Sequence, residues 1–129
     1  MDKTSILKEW FNYSERDISS AKYLLGMNPI PIEIICYHCE QAAEKMLKAY
    51  LIDHEIEPPK SHDLKYLCNL CISINSAFES ISEICVELSM YSVQPRYPFE
   101  INISEIDMRN AIVDAEKIIE FVKSKFVRE

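Results

Sequence analysis

A chain of 129 residues with one glycine, Gly26, has few means of making tight turns. The hairpins of β-sheets need residues at positive φ, which glycine supplies at least cost. Phosphate-cradling loops need glycine for close backbone approach. Against a usual glycine share of about 7%, this deficit points to helices joined by proline-bearing loops. It argues against a P-loop or a dinucleotide fingerprint.

The hydrophobic pattern agrees. Leu7, Trp10, Ser14, Ile18, Ala21 and Leu25 step by three or four and predict a first helix from about Thr4 to Leu25. Gly26 is expected to take the left-handed conformation at its end, and Pro29 and Pro31 delay the next element. Pro31 suits the first turn of a second helix, since its missing N–H costs nothing there. In the stretch Ile34 to Asp53, Cys36, Cys39, Ala42/Ala43, Met46 and Ala49/Tyr50 recur at helical spacing. At about 20 residues and roughly 30 Å this second helix would cross a small domain.

Pro58 and Pro59 exclude helix from the connection that follows. Ser61 is the expected N-cap of a third helix, with Asp63 in its first turn and a stripe of Leu64, Leu67, Cys71 and Ile74. Ser76 and Glu79 have capping-box spacing for a fourth helix carrying Phe78, Ile81, Cys85, Leu88 and Tyr91/Ser92. Ser104 and Asp107 have the same relation before Met108, Ala111/Ile112, Ala115, Ile118/Ile119, Val122 and Phe126. About five helices with short connections predict an all-α, up-and-down antiparallel bundle, one domain over residues 1–129.

The formal net charge is −7. Bulk electrostatic binding of nucleic acid calls for the opposite sign, which argues against RNA as a partner. No run of apolar residues is long enough to span a bilayer, and the N-terminus lacks the layout of a signal peptide. Five cysteines without such a signal point to reduced thiols and a cytoplasmic location, with no membrane association.

Two Cys-x-x-Cys pairs, Cys36/Cys39 and Cys68/Cys71, have the count for a zinc site. Both lie in apolar-periodic helices rather than in tight turns, so they are read as buried core thiols and no metal is expected. On the second helix, Glu44 with Lys48 and Gln41 with Lys45 are four apart, the spacing of weak pairs on a solvated face. The other reading of that face is a site or a dimer seam. His62, beside Ser61, Lys60 and Asp63 at a helix start, is a candidate for an anion pocket. From Tyr66 through Met108 the only basic residue is Arg96, against six acidic ones. Held between Pro95 and Tyr97-Pro98, its planar fork suits phosphate or carboxylate, and Tyr97 could stack on a base or an adjacent chain. A structural role, pairing Glu87 or Glu105, stands open beside the ligand role.

Cys39-Glu-Gln41-Ala-Ala-Glu44-Lys45-Met-Leu-Lys48-Ala-Tyr-Leu, then Ser61-His62-Asp63-Leu64, then Arg96-Tyr97-Pro98, resemble the HEPN domain family in order and spacing. The likeness covers nearly the whole chain, including Trp10, Arg16-Asp17 and Ala21. It implies a helical bundle that commonly dimerises. Small stand-alone members are often encoded beside a minimal nucleotidyltransferase in toxin–antitoxin pairs, and that branch has been proposed to bind nucleotides. Other members are metal-independent ribonucleases using an R-x4–6-H motif. This chain departs from that motif, because Ile101, Asn102 and Ile103 stand where the histidine would follow Arg96. Only His62, brought across the fold, is a substitute. Together with the isolated Arg96, the resemblance implies a nucleotide-binding and interaction module, a homodimer with a minimal nucleotidyltransferase partner and no cofactor. Arg96, Tyr97, His62, Lys45 and Gln41 would line its cleft. A divergent ribonuclease is the alternative, though the sequence leans away from an enzyme.

Overall fold

The computed structural model describes residues 2–92 and 102–126. The central element is α2, Ile32–Asp53, in which 14 of 22 residues are buried. A helix buried on most sides has to be the interior member of its bundle. α1 (Lys3–Leu24), α3 (Leu64–Ile74) and α5 (Glu105–Ser124) pack around it. A 3₁₀ segment, Ser76–Ile81, leads into the short α4, Ser82–Ser89, which lies against α3 and α5. Among the described residues there is no strand, so the bundle is all-α as its periodicity predicts.

α1 approaches α2 closely because small residues line the contact. The buried Ser14 hydroxyl donates to the carbonyl of Ala42 at 2.8 Å, which satisfies a polar group that would otherwise be costly inside. All five cysteines are buried and reduced. Burial pushes the thiols of Cys36 and Cys71 up to about 12, the opposite of the thiolate a metal requires. Cys68 and Cys71 donate instead to the carbonyls of Phe78 and Leu47.

The helix ends match the sequence in part. The Ser104–Asp107 capping box opens α5 as predicted. For α3 the cap is Asp63 rather than Ser61: the Asp63 carboxylate accepts from the N–H groups of Lys65 and Tyr66, a stronger, charge-assisted cap than a hydroxyl. Ser76 and Glu79 form no capping box. Asn75 is already extended at φ −146 and accepts from Ala77 N–H, so a 3₁₀ segment starts one residue earlier and delays α4 to Ser82. Pro31 precedes the first helical residue of α2 instead of occupying it.

The left-handed turn also moves. Gly26 is not at positive φ, because α1 closes through i to i+3 bonds from Leu25, Gly26 and Met27. The positive φ, 62°, belongs to Glu55 after α2. There Ile56 N–H reaches Leu51 C=O and Glu55 N–H reaches Ile52 C=O, the two bonds of a Schellman ending. A side chain in this conformation costs roughly 1–2 kcal/mol relative to glycine. Glu55 recovers part of that through its 2.8 Å contact with Lys3, an exposed pair. Glu55→Gly is therefore expected to stabilise the fold by about 0.5–1 kcal/mol in urea unfolding. A loss of stability would mean that the Lys3 pair outweighs the backbone strain.

Candidate binding face on helix α2

The polar residues of α2 occupy one broad face, but it is not a solvated one. Glu40 is 0% exposed, Glu44 4% and Lys48 8%. They are held by two neighbouring networks. In the first, Lys48 Nζ donates to Glu44 Oε2 at 2.9 Å. His62, from the loop before α3, reaches both oxygens of Glu44 through Nδ1 at 3.0 and 3.1 Å. The Gln41 amide donates to Glu40 Oε1 at 2.8 Å and, at 3.5 Å, to Glu44.

In the second network Asp17 of α1 takes both Lys45 and His38, the latter at 2.9 Å. Tyr37 lies close to both networks: burial, then the charges of Glu40, Asp17 and Glu44, raise its phenol above the ordinary range. The spacing-based pair of Glu44 with Lys48 is present, whereas Gln41 does not pair with Lys45. Asp17, on another helix, offers Lys45 a carboxylate, a stronger partner for an ammonium group than a neutral amide.

Glu40 is the anomaly. Its Oε2 is buried with no hydrogen-bond partner. Burial, followed by the adjacent Glu44 carboxylate, pushes its carboxyl up to about 9, against the pull of the Gln41 amide. At neutral pH Glu40 is thus a neutral acid, and its O–H turns the orphaned oxygen into a donor beside Glu44. A folded value above the unfolded 4.5 stabilises the fold fully at low pH, and that contribution is lost as pH rises toward 9. Glu40→Gln keeps a neutral polar group there. Its stability relative to wild type should rise by up to about 1.4 kcal/mol per pH unit between about pH 5 and pH 8. Parallel stability–pH curves for the two proteins would refute a protonated Glu40.

Of the residues singled out by sequence, the structure brings Gln41, Lys45 and His62 to this face. Arg96 and Tyr97 lie outside the described residues. His62 does not build an anion pocket with Ser61 and Lys60. The N–H groups at the start of α3 are already taken, Leu64 by the Ser89 hydroxyl and Lys65 and Tyr66 by Asp63. Sequence reasoning missed Asp17, His38 and the burial of Glu40. His38 and Lys45 are seven apart and so share a helix face, but nothing in the sequence places Asp17 against them.

Both lysines of the face are committed to carboxylates, so an incoming anion has to displace Asp17 or Glu44. His62 offers a different chemistry. Its side chain is 64% exposed while Glu44 fixes Nδ1, which orients the ring as a carboxylate orients an imidazole in acid–base sites.

A helical bundle built round one buried helix, with two charged networks on a face of that helix, defines the class as an all-α domain. The sequence profile of the HEPN domain matches residues 7–125, and the chain belongs to the HEPN domain family. Its fold is similar to the crystal structure of TT1696 from Thermus thermophilus, with a TM-score of 0.78 and 22% identity over 93% of this chain and 98% of that one. It is also similar to ST0689, described as an archaeal HEPN homologue, with a TM-score of 0.73 and 24% identity over 92% and 96% of the two chains. At such identities the likeness concerns the fold. No curated protein matches the sequence. No described helix is long and apolar enough to cross a membrane.

Proposed function

We propose that this HEPN domain, one unit over residues 1–129, is a nucleotide-binding and interaction module. It would act in the cytoplasm as a homodimer, with a minimal nucleotidyltransferase as partner in a toxin–antitoxin-type pair. The observation that supports it is the gathering of Gln41, Lys45 and His62 on one face of α2, within a chain of this family. In this reading Arg96 contacts phosphate and Tyr97 stacks or packs beside it. Lys45 exchanges Asp17 for the phosphate, a swap between two anions that leaves the lysine paired throughout.

Isothermal titration with ATP and GTP tests the ligand part. Binding that weakens at least tenfold in Arg96→Ala is the expected result, and no binding by wild type would sink it. Co-expression with a candidate nucleotidyltransferase, followed by co-purification, tests the partner.

A second reading, a divergent metal-independent ribonuclease, has the Glu44–His62 contact in its favour. A carboxylate that fixes one imidazole nitrogen leaves the other to move a proton. It requires RNA cleavage in EDTA that is lost in both His62→Ala and Arg96→Ala. RNA left intact after long incubation would dispose of it.

A further inference from the structure

Trp10 and Tyr13 lie three residues apart on α1 and so face the same way. Neither takes part in the core cluster or packs against it, although α1 buries Ser14, Ile18 and Ala21 over the turns that follow. Tyr13 is 49% exposed and Trp10 is half-buried. Side by side outside the core, the two rings form an apolar patch of the kind that marks contact sites.

They line a cleft of about 430 Å³ together with Glu9 and with Lys45 of α2. Two cations sit at the Tyr13 ring, Arg16 at 5.4 Å and Lys45 at 5.9 Å from its centroid. Arg16 has no carboxylate partner among the described residues. Of the two cations only Arg16 is free to meet an anion at once, since Lys45 is paired with Asp17.

We propose that this cleft between α1 and α2 is a subsite for a nucleotide, with the base stacked on Trp10 and the phosphate held beside the Tyr13 ring by Arg16 and by Lys45, which leaves Asp17 for it. The inference rests on the nucleotide-binding reading, in which Arg96 also contacts phosphate, and it is argued from residues of α1 and α2 alone. The volume falls within the roughly 300–1,000 Å³ of small-ligand sites. An indole face stacks on any base, and a guanidinium fork is suited to phosphate. The Glu9 carboxylate accepts hydrogen bonds, which favours a base with an exocyclic amino group over one without. The acidic balance of the whole chain favours a mononucleotide over a long polyanion.

Trp10 is the only tryptophan, so its fluorescence reports on this cleft alone. Titration of the full chain with AMP is expected to quench Trp10 saturably. Ribose 5-phosphate, which lacks the base, should leave the emission unchanged. Arg16→Ala and Lys45→Ala should each weaken AMP binding about tenfold, and Trp10→Leu should weaken it similarly by calorimetry.

Calorimetric binding of AMP, ATP or GTP that neither quenches Trp10 nor responds to Trp10→Leu would overturn the location and leave the nucleotide reading standing. No binding of any of the three would remove both. A single-stranded RNA oligonucleotide that quenches Trp10 at far lower concentration than AMP would make the cleft an RNA surface instead. Trp10 emission shielded from iodide without ligand, and unshielded on dilution, would show a second copy covering the cleft.

Discussion

Lys48→Met is expected to destabilise the protein by about 3–5 kcal/mol in chemical unfolding. Methionine keeps most of the buried stem of Lys48 and removes only the ammonium group. Glu44, 4% exposed, then has no lysine at 2.9 Å and still lies beside Glu40. Gln41 at 3.5 Å and His62 are left to hold its charge. Breaking one member of a buried pair leaves an uncompensated charge, which is why the expected cost far exceeds the few tenths measured for exposed i, i+4 pairs. Adding Glu44→Gln to Lys48→Met should recover most of the loss, because the charge that needed a partner is gone. A Lys48→Met cost below about 1 kcal/mol would show that this face behaves as ordinary surface.

Phe78→Ala should cost a similar amount, about 3–5 kcal/mol, for a different reason. Phe78 is fully buried on the 3₁₀ segment, and its ring lies 4.5 Å from Tyr50 of α2 and 5.0 Å from Phe121 of α5. Tyr50 continues to Phe126 at 5.9 Å, and Phe126 to Phe11 of α1 at 4.9 Å. The Phe78 ring thus joins the 3₁₀ segment directly to α2 and α5, and through Tyr50 and Phe126 to α1. Its removal opens a cavity where rigid helices limit collapse, and it forfeits aromatic pairing beyond the buried area. Phe78→Leu should retain more than half of the lost stability. Urea unfolding that shows a Phe78→Ala cost under about 1.5 kcal/mol would mean that the neighbouring rings close over the gap.

The same two regions separate what could be read from the sequence from what could not. The stripe through Met108, Ala115 and Val122, the core positions of the cysteines and the Ser104–Asp107 cap are local matters of period and spacing, and all are as expected. The caps of α3 and of the 3₁₀ segment were misplaced because Ser61 and Ser76 stand one or two residues from Asp63 and Asn75. Each short polar residue could serve, and only the path of the chain selects between them. The αL position went to Glu55 rather than Gly26 because the Schellman bonds form where α2 has to turn back, whatever the residue there.

The family motif on α2 was legible as letters, while its environment was not. Glu40, Gln41, Glu44, Lys45 and Lys48 look like a solvent face in one dimension, because charge normally marks the surface. Helical period and turn chemistry act over a few residues, so the sequence by itself determined the all-α class, the identity of the central helix and much of the core. Only the tertiary structure decided that Asp17 takes Lys45, that His62 comes to Glu44, and that Glu40 is buried deeply enough to hold its proton. Those outcomes depend on desolvation and on charges contributed by other segments of the chain, and neither acts until the helices have packed.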